Sequence, residues 1–139
     1  MSPELDEKLC QKYPLIFKDR TLNDDRATLM CYGFCHGDGW YGIIDNLCEG
    51  IQTYCDEKKT NGAPEFQVVA VQVKEKFGGL RFYVNGGDDY IYKLIGTAEK
   101  ESCKTCEDCG APGKLDTAGW WSTTCESCLQ SRNERRQNR

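Results

Sequence analysis

The 139-residue chain has only one histidine, and no apolar run approaches the roughly 18 residues that span a bilayer. Its first ten residues, MSPELDEKLC, are acidic and polar and lack the basic-then-apolar order of a secretory signal peptide. It also lacks a P-loop, a dinucleotide-binding fingerprint and the GxSxG and HExxH motifs. We therefore expect a cytoplasmic protein that neither enters a membrane nor acts as an enzyme.

Charge and composition narrow the class of protein further. The formal net charge of −4 argues against a general basic coat for nucleic acid, although it allows a local basic face. With 39% hydrophobic and 29% charged residues, the composition is typical of a globular protein and excludes wholesale disorder. The length suits one ordinary domain, or one domain with a small module.

Cysteine, in contrast, is abundant, with ten residues. Cytosolic thiols stay reduced, so paired CxxC spacing indicates a metal before disulfides; an oxidising compartment would make the same count a disulfide framework. The pairs Cys106/Cys109 and Cys125/Cys128 have zinc-ribbon spacing, because a two-residue gap lets one tight turn direct both sulfurs at one ion. We predict one structural zinc, since four thiolates leave no open position for catalysis.

One neighbouring cysteine leaves the ligand set open. Cys103 also forms a CxxC pair with Cys106, so it is an alternative ligand to Cys109. Gly110 favours Cys109, because a glycine directly after the pair lets backbone amides turn toward the thiolates.

A weaker second metal site is predicted from Cys31, Cys35 and His36, which a further cysteine would complete. The remaining candidates also fit as small core residues, since free cysteine is often buried. If the chain were instead an unrecognised enzyme, a Cys–His pair here would be its only visible catalytic site.

Hydrophobic periodicity predicts an α+β fold, with helices packed on a small antiparallel β-hairpin. Helical spacing over about 40–59 ends at Asn61-Gly62, and strand alternation over about 66–85 surrounds Gly78-Gly79, which suits a two-residue turn. A further helix is predicted over about 89–102. The domain organisation is then an α+β core at 1–102, a four-cysteine zinc ribbon at 103–128, and a basic polar tail or frayed helix at 129–139.

The predicted hairpin has two unlike faces. The core face carries Val69, Val71, Val73, Phe77, Leu80, Phe82 and Val84. The other carries Lys74, Lys76, Arg81 and Tyr83, and basic groups beside an aromatic residue can hold phosphates and stack a base. The alternative is a solvated face whose lysines discourage edge-to-edge aggregation.

Adjacent tryptophans, Trp120 and Trp121, lie between the two cysteine pairs. We expect one of them to pack on the ribbon and the other to be exposed, where it would form a hot spot for binding another protein.

Four segments carry a resemblance over residues 12–128: KYPLIFKDR, GDGWYGIIDNLC, VQVKEKFGGLRFYV and CEDCGAPGKL…GWW…CESC. Together they resemble a family of small proteins encoded by tailed bacteriophages and prophages. The resemblance implies the cytoplasm of an infected bacterium and no catalytic residues. It favours a binding protein that modulates a bacterial host factor, such as a component of a defence system, with nucleic-acid or nucleotide binding as the alternative.

Overall fold

The computed structural model describes residues 1–139, and the α+β class predicted from the sequence is confirmed. None of the helices combines the length and apolarity that a membrane span needs. In chain order the elements are α1 (Pro3–Lys12), β1 (Phe34–Cys35), α2 (Tyr41–Thr60), β2 (Val69–Lys76), β3 (Gly79–Asn85), α3 (Asp89–Ser102), β4 (Lys114–Asp116), β5 (Ser122–Thr124) and α4 (Glu126–Gln137).

Local sequence signals place the helix ends. The Ser2 hydroxyl accepts a hydrogen bond from the Leu5 N–H, and Pro3 takes the first helical position of α1. The Asp88 carboxylate caps α3 by accepting from the Ile91 N–H at 3.0 Å. These caps satisfy backbone donors that a helix start leaves unpaired.

The main sheet has the strand order β1-β2-β3. Strands β2 and β3 are antiparallel as predicted, but β1 adds a parallel edge, with Phe34 opposite Val73 and Cys35 opposite Lys74. The predicted antiparallel hairpin is therefore part of a mixed three-stranded sheet. Two residues are too few to display a strand period, so β1 had no signal of its own.

The hairpin turn lies one residue earlier than predicted, at Phe77-Gly78 rather than Gly78-Gly79. Both turn residues have positive φ, 54° and 80°, which is the conformation of a type I′ turn. Gly79 instead belongs to β3, opposite Lys76. As a result Phe77 lies at the hairpin tip and is 63% exposed, and its predicted place in the core is wrong.

A β-bulge at Val71 changes which residues of β2 face inward. The register shifts between Ala70 and Gln72, so Ala70 is fully buried whereas Val71 is only half-buried. Beyond the bulge the predicted alternation holds, with Val73 and Phe82 paired in the core.

The core lies between the inner face of this sheet and the helices, around the fully buried Trp40. Helix α3 packs against α2 and covers the outer edge of β3. Its Ser102 hydroxyl accepts from the Leu80 N–H at 2.9 Å, and its Glu99 carboxylate accepts from the Phe82 N–H at 3.3 Å. The edge strand therefore has side-chain partners for donors that would otherwise be open to another chain.

Candidate metal centre and the surface beside it

Four cysteines meet at the C-terminal end of the chain. The sulfur atoms of Cys106, Cys109, Cys125 and Cys128 all lie within 4.8 Å of one another. Four thiolates around a zinc ion at about 2.3 Å place their sulfurs about 3.8 Å apart. The Sγ atoms of Cys109 and Cys125 are 3.7 Å apart, so the cluster fits a tetrahedral metal ion.

The first cysteine pair sits on a tight turn whose backbone donors favour the thiolate. Gly110 has φ 82°, a conformation that suits glycine, and its N–H donates to the Cys106 carbonyl at 2.9 Å. Burial opposes ionisation of Cys106, but backbone N–H groups of Cys125, Cys109 and Asp108 outweigh it and lower its pKa to about 7. A thiolate is the form that ligates metal.

The glycine-rich loop before α2 forms the docking site for this first pair. The N–H of Gly39 donates to the Glu107 carbonyl at 2.7 Å, and the N–H of Gly37 donates to the Glu107 carboxylate at 2.9 Å. The indole N–H of Trp40 donates to the Thr105 carbonyl at 2.9 Å. The GDGW segment thus joins the core to the ribbon.

Helix α4 begins at the second cysteine pair and is anchored to the first. Its Arg132 donates to both oxygens of Asp108, at 2.7 and 2.6 Å, and also lies 3.7 Å from Glu107. The backbone N–H of Cys128 faces the Cys125 sulfur at 3.4 Å. The tail predicted at 129–139 is therefore mostly helical, with one of its arginines held against the metal centre.

The ribbon also contacts the tip of the β2–β3 hairpin. The buried Thr123 hydroxyl of β5 donates to the Gly78 carbonyl at 2.6 Å. A Cβ added at Gly78 would lie 2.4 Å from Leu115 of β4. This contact places the loop between β4 and β5 next to the hairpin turn.

An exposed aromatic groove lies at this junction. Trp120 is 80% exposed, Trp121 is 44% exposed, and the ring centroids of Trp121 and Phe77 are 6.1 Å apart at 66°. Both tryptophans are thus exposed, where one was expected to pack on the ribbon. The groove has a volume of about 650 Å³ and is lined by Glu75, Lys76, Phe77, Gly119, Trp120 and Trp121.

The outer sheet face brings together part of the predicted basic site. Lys74 lies directly opposite Arg81, and Tyr83, which is 42% exposed, lies two residues beyond Arg81 along β3 and so on the same face. Neither cation forms an ion pair with an acidic residue. Lys76, by contrast, places its ammonium 5.6 Å from the Phe77 ring centroid and so lies at the aromatic groove.

The alternative ligand Cys103 is outside the metal cluster. It forms the C-terminal cap of α3, and its sulfur would be 3.2 Å from a Cβ added at Gly79. The cluster of four contains Cys109 in its place.

The weaker second metal site from the sequence is not formed, because Cys31, Cys35 and His36 do not converge. Cys35, the last residue of β1, is exposed, whereas His36, which follows the strand, is buried against Phe34 and Trp40. The His36 Nδ1 lies 2.7 Å from the Gly37 carbonyl and therefore carries the ring proton, while its Nε2 is buried without a partner.

Two contributors to the site were absent from the sequence-based predictions. Glu107 accepts hydrogen bonds from the backbone N–H groups of Gly37 and Gly39. Phe77 completes the aromatic groove. The glycine-rich GDGW segment was a signal for the first, because glycine permits close backbone approach. No local pattern indicated that Phe77 would meet Trp121.

Fold and site together define an α+β protein with a C-terminal four-cysteine ribbon that can hold a metal ion. In comparisons with protein-family models, with curated proteins and with solved structures, nothing matches the chain.

Proposed function

We propose that the protein is a zinc-stabilised binding protein that engages and modulates a bacterial host protein through the aromatic groove. The observation that carries this proposal is the pair of exposed tryptophans beside the exposed Phe77. Tryptophan is enriched among the residues that dominate binding energy at protein interfaces. The bacterial partner, with a defence component among the candidates, rests on the resemblance to phage proteins.

The metal we propose is a single zinc ion with a structural role. Four thiolates with tetrahedral spacing are the donor set of structural zinc sites, and they leave no position for a substrate or a reactive water. Zinc would hold the two cysteine pairs together and so keep Trp120 and Trp121 beside the hairpin tip. Metal analysis of the purified protein should give one zinc per chain; iron in its place would contradict the assignment.

The function is tested by capture followed by reconstitution. The zinc-loaded protein is immobilised, bacterial lysate is passed over it, and each captured protein is identified, purified and titrated against the original chain. We expect Trp120→Ala and Trp121→Ala to weaken the reconstituted complex at least about tenfold, since a hot-spot truncation costs about 2 kcal/mol or more. The matched control is Tyr32→Ala, because Tyr32 is 74% exposed and lies outside the groove.

Two results would refute this function. One is the absence of any captured protein that rebinds after purification. The other is a reconstituted complex whose affinity the two tryptophan variants and the Tyr32 control leave equally unchanged.

A second candidate function is nucleic-acid or nucleotide binding on the outer sheet face. It is favoured by the direct opposition of Lys74 and Arg81, because like charges facing each other are unfavourable until an anion neutralises them. The affinity for a single-stranded oligonucleotide should then fall steeply with salt. Substitution of both cations by alanine should abolish it, and unchanged binding would eliminate this face.

A further inference from the structure

We propose that the aromatic groove binds a positively charged side chain, a lysine or an arginine, on an exposed segment of the partner. This inference rests on the proposed function and names the chemistry that the groove recognises. Three features carry it: the arrangement of the rings, the carboxylate in the groove wall, and a cation of this chain that already lies at one of the rings.

The rings form walls suited to a compact cation. The faces of indole and benzene rings carry partial negative charge, which attracts ammonium and guanidinium groups within about 6 Å. Phe77 and Trp121 stand at 66° to each other, with centroids 6.1 Å apart. A flat nucleobase cannot lie parallel to both rings, whereas a compact cation can contact both.

Glu75 adds a negative charge to the same groove. Its Oε2 atom is buried and has no hydrogen-bond partner. A buried carboxylate oxygen without a donor is costly, and rotation of the Glu75 side chain into the groove would let an incoming ammonium or guanidinium supply one. The overall charge of −4 also favours the approach of a basic segment.

Lys76 shows that one ring of this groove, that of Phe77, accepts a cation. Its ammonium lies 5.6 Å from the Phe77 centroid, and it forms no ion pair. In the free protein Lys76 takes part of the place that the partner's cation would occupy. Its charge therefore competes with the ligand, and its removal should strengthen binding rather than weaken it.

The groove is also held in shape before any partner arrives. The Thr123–Gly78 hydrogen bond joins its two sides, and a metal ion bound by the four cysteines would hold β5, the strand that follows Trp121. Binding to a preformed site avoids the cost of ordering the loop.

The test uses choline as the cationic probe and, as its neutral counterpart, the alcohol in which carbon replaces the nitrogen of choline. The readout is the set of three indole N–H signals in an NMR spectrum of the zinc-loaded protein. We expect choline to shift the signals of Trp120 and Trp121 and to leave that of the buried Trp40 unchanged. The neutral alcohol should have no comparable effect.

Two variants make the test specific. Glu75→Gln keeps the shape of the side chain and should weaken choline binding at least about fivefold, whereas Lys76→Met should strengthen it, since each changes one charge beside the rings. An unshifted Trp40 signal verifies that a variant is folded. If Glu75→Gln does not fold, the Lys76→Met result decides.

Four results would overturn the inference: equal shifts from choline and the neutral alcohol, no shifts from choline, unchanged affinity in a folded Glu75→Gln, or weaker binding in Lys76→Met. Shifts caused by an oligothymidylate and not by choline would make the groove a base-stacking surface instead. If a captured partner needs Trp120 but choline does not bind, only the cation assignment fails. If choline binds and no partner is captured, the proposed function fails and the groove chemistry stands.

Discussion

Replacement of Gly39 by alanine should detach the metal centre from the core. A Cβ at this position would lie 2.0 Å from the Cys106 carbonyl oxygen and 2.6 Å from the Gly110 nitrogen. Both are backbone atoms, so no side-chain rotation can relieve the overlap. The loop before α2 must therefore move away from the first cysteine pair.

The cost follows from the contacts that this movement breaks. The hydrogen bond from the Gly39 N–H to Glu107 is lost, and that from the Trp40 indole to Thr105 is weakened. Each contributes about 0.5–1.5 kcal/mol net, and an overpacked methyl group costs about 1–3 kcal/mol. We expect the free energy of unfolding to fall by about 2–4 kcal/mol, a large share of the about 5–15 kcal/mol typical of a domain.

Urea unfolding of the zinc-loaded protein, followed by circular dichroism, measures this change. The matched control is Gly42→Ala in the first turn of α2, where an added Cβ meets nothing within 4 Å. Alanine there should be neutral or stabilising by up to about 1 kcal/mol, because it is the better helix former. Equal unfolding free energies for the Gly39→Ala variant and the native chain would refute the docking argument.

Three further predictions concern the metal centre and its surroundings. Cys109→Ser should lose most of the bound zinc in metal analysis, whereas Cys103→Ser should retain one ion per chain. Loss of zinc in Cys103→Ser and not in Cys109→Ser would show that Cys103 is the ligand instead. Arg132→Ala should lower the free energy of unfolding by about 1–2 kcal/mol in urea titrations, because it breaks the partly exposed bidentate pair with Asp108. An equal loss of unfolding free energy in the exposed control Arg136→Ala would contradict this. Burial lowers the pKa of His36 to about 4, whereas an unfolded histidine has a pKa of about 6.5, so this residue reduces stability as pH falls from about 6.5 to about 4. An NMR titration of His36, the single histidine of the chain, should have its midpoint near pH 4. A midpoint near pH 6.5 would contradict the burial of its ring.

Where the sequence carried a local signal, the prediction from it was close. Helix α2 runs from Tyr41 to Thr60 beside the predicted stop at Asn61-Gly62, because a helical stripe and its end depend on residues a few positions apart. The turn was misplaced because three consecutive residues, Phe77, Gly78 and Gly79, offered two positions for a two-residue turn. Glycine preference selects Gly78-Gly79, but the structure places Phe77 at positive φ and keeps Gly79 in the strand beside Cys103.

By itself the sequence determined the α+β class, the long helices and the two CxxC pairs, while the choice between Cys103 and Cys109 was left to the structure. Each depends on spacing within one segment: a period along a helix or strand, or two residues between thiols on one turn. Only the tertiary structure decided what surrounds the ribbon, namely the docking of the GDGW loop on Glu107 and the meeting of Phe77 with Trp121. These contacts join residues far apart along the chain, where packing and not periodicity selects the partner. The candidate binding groove is formed by such contacts, and for that reason no single stretch of sequence predicts it.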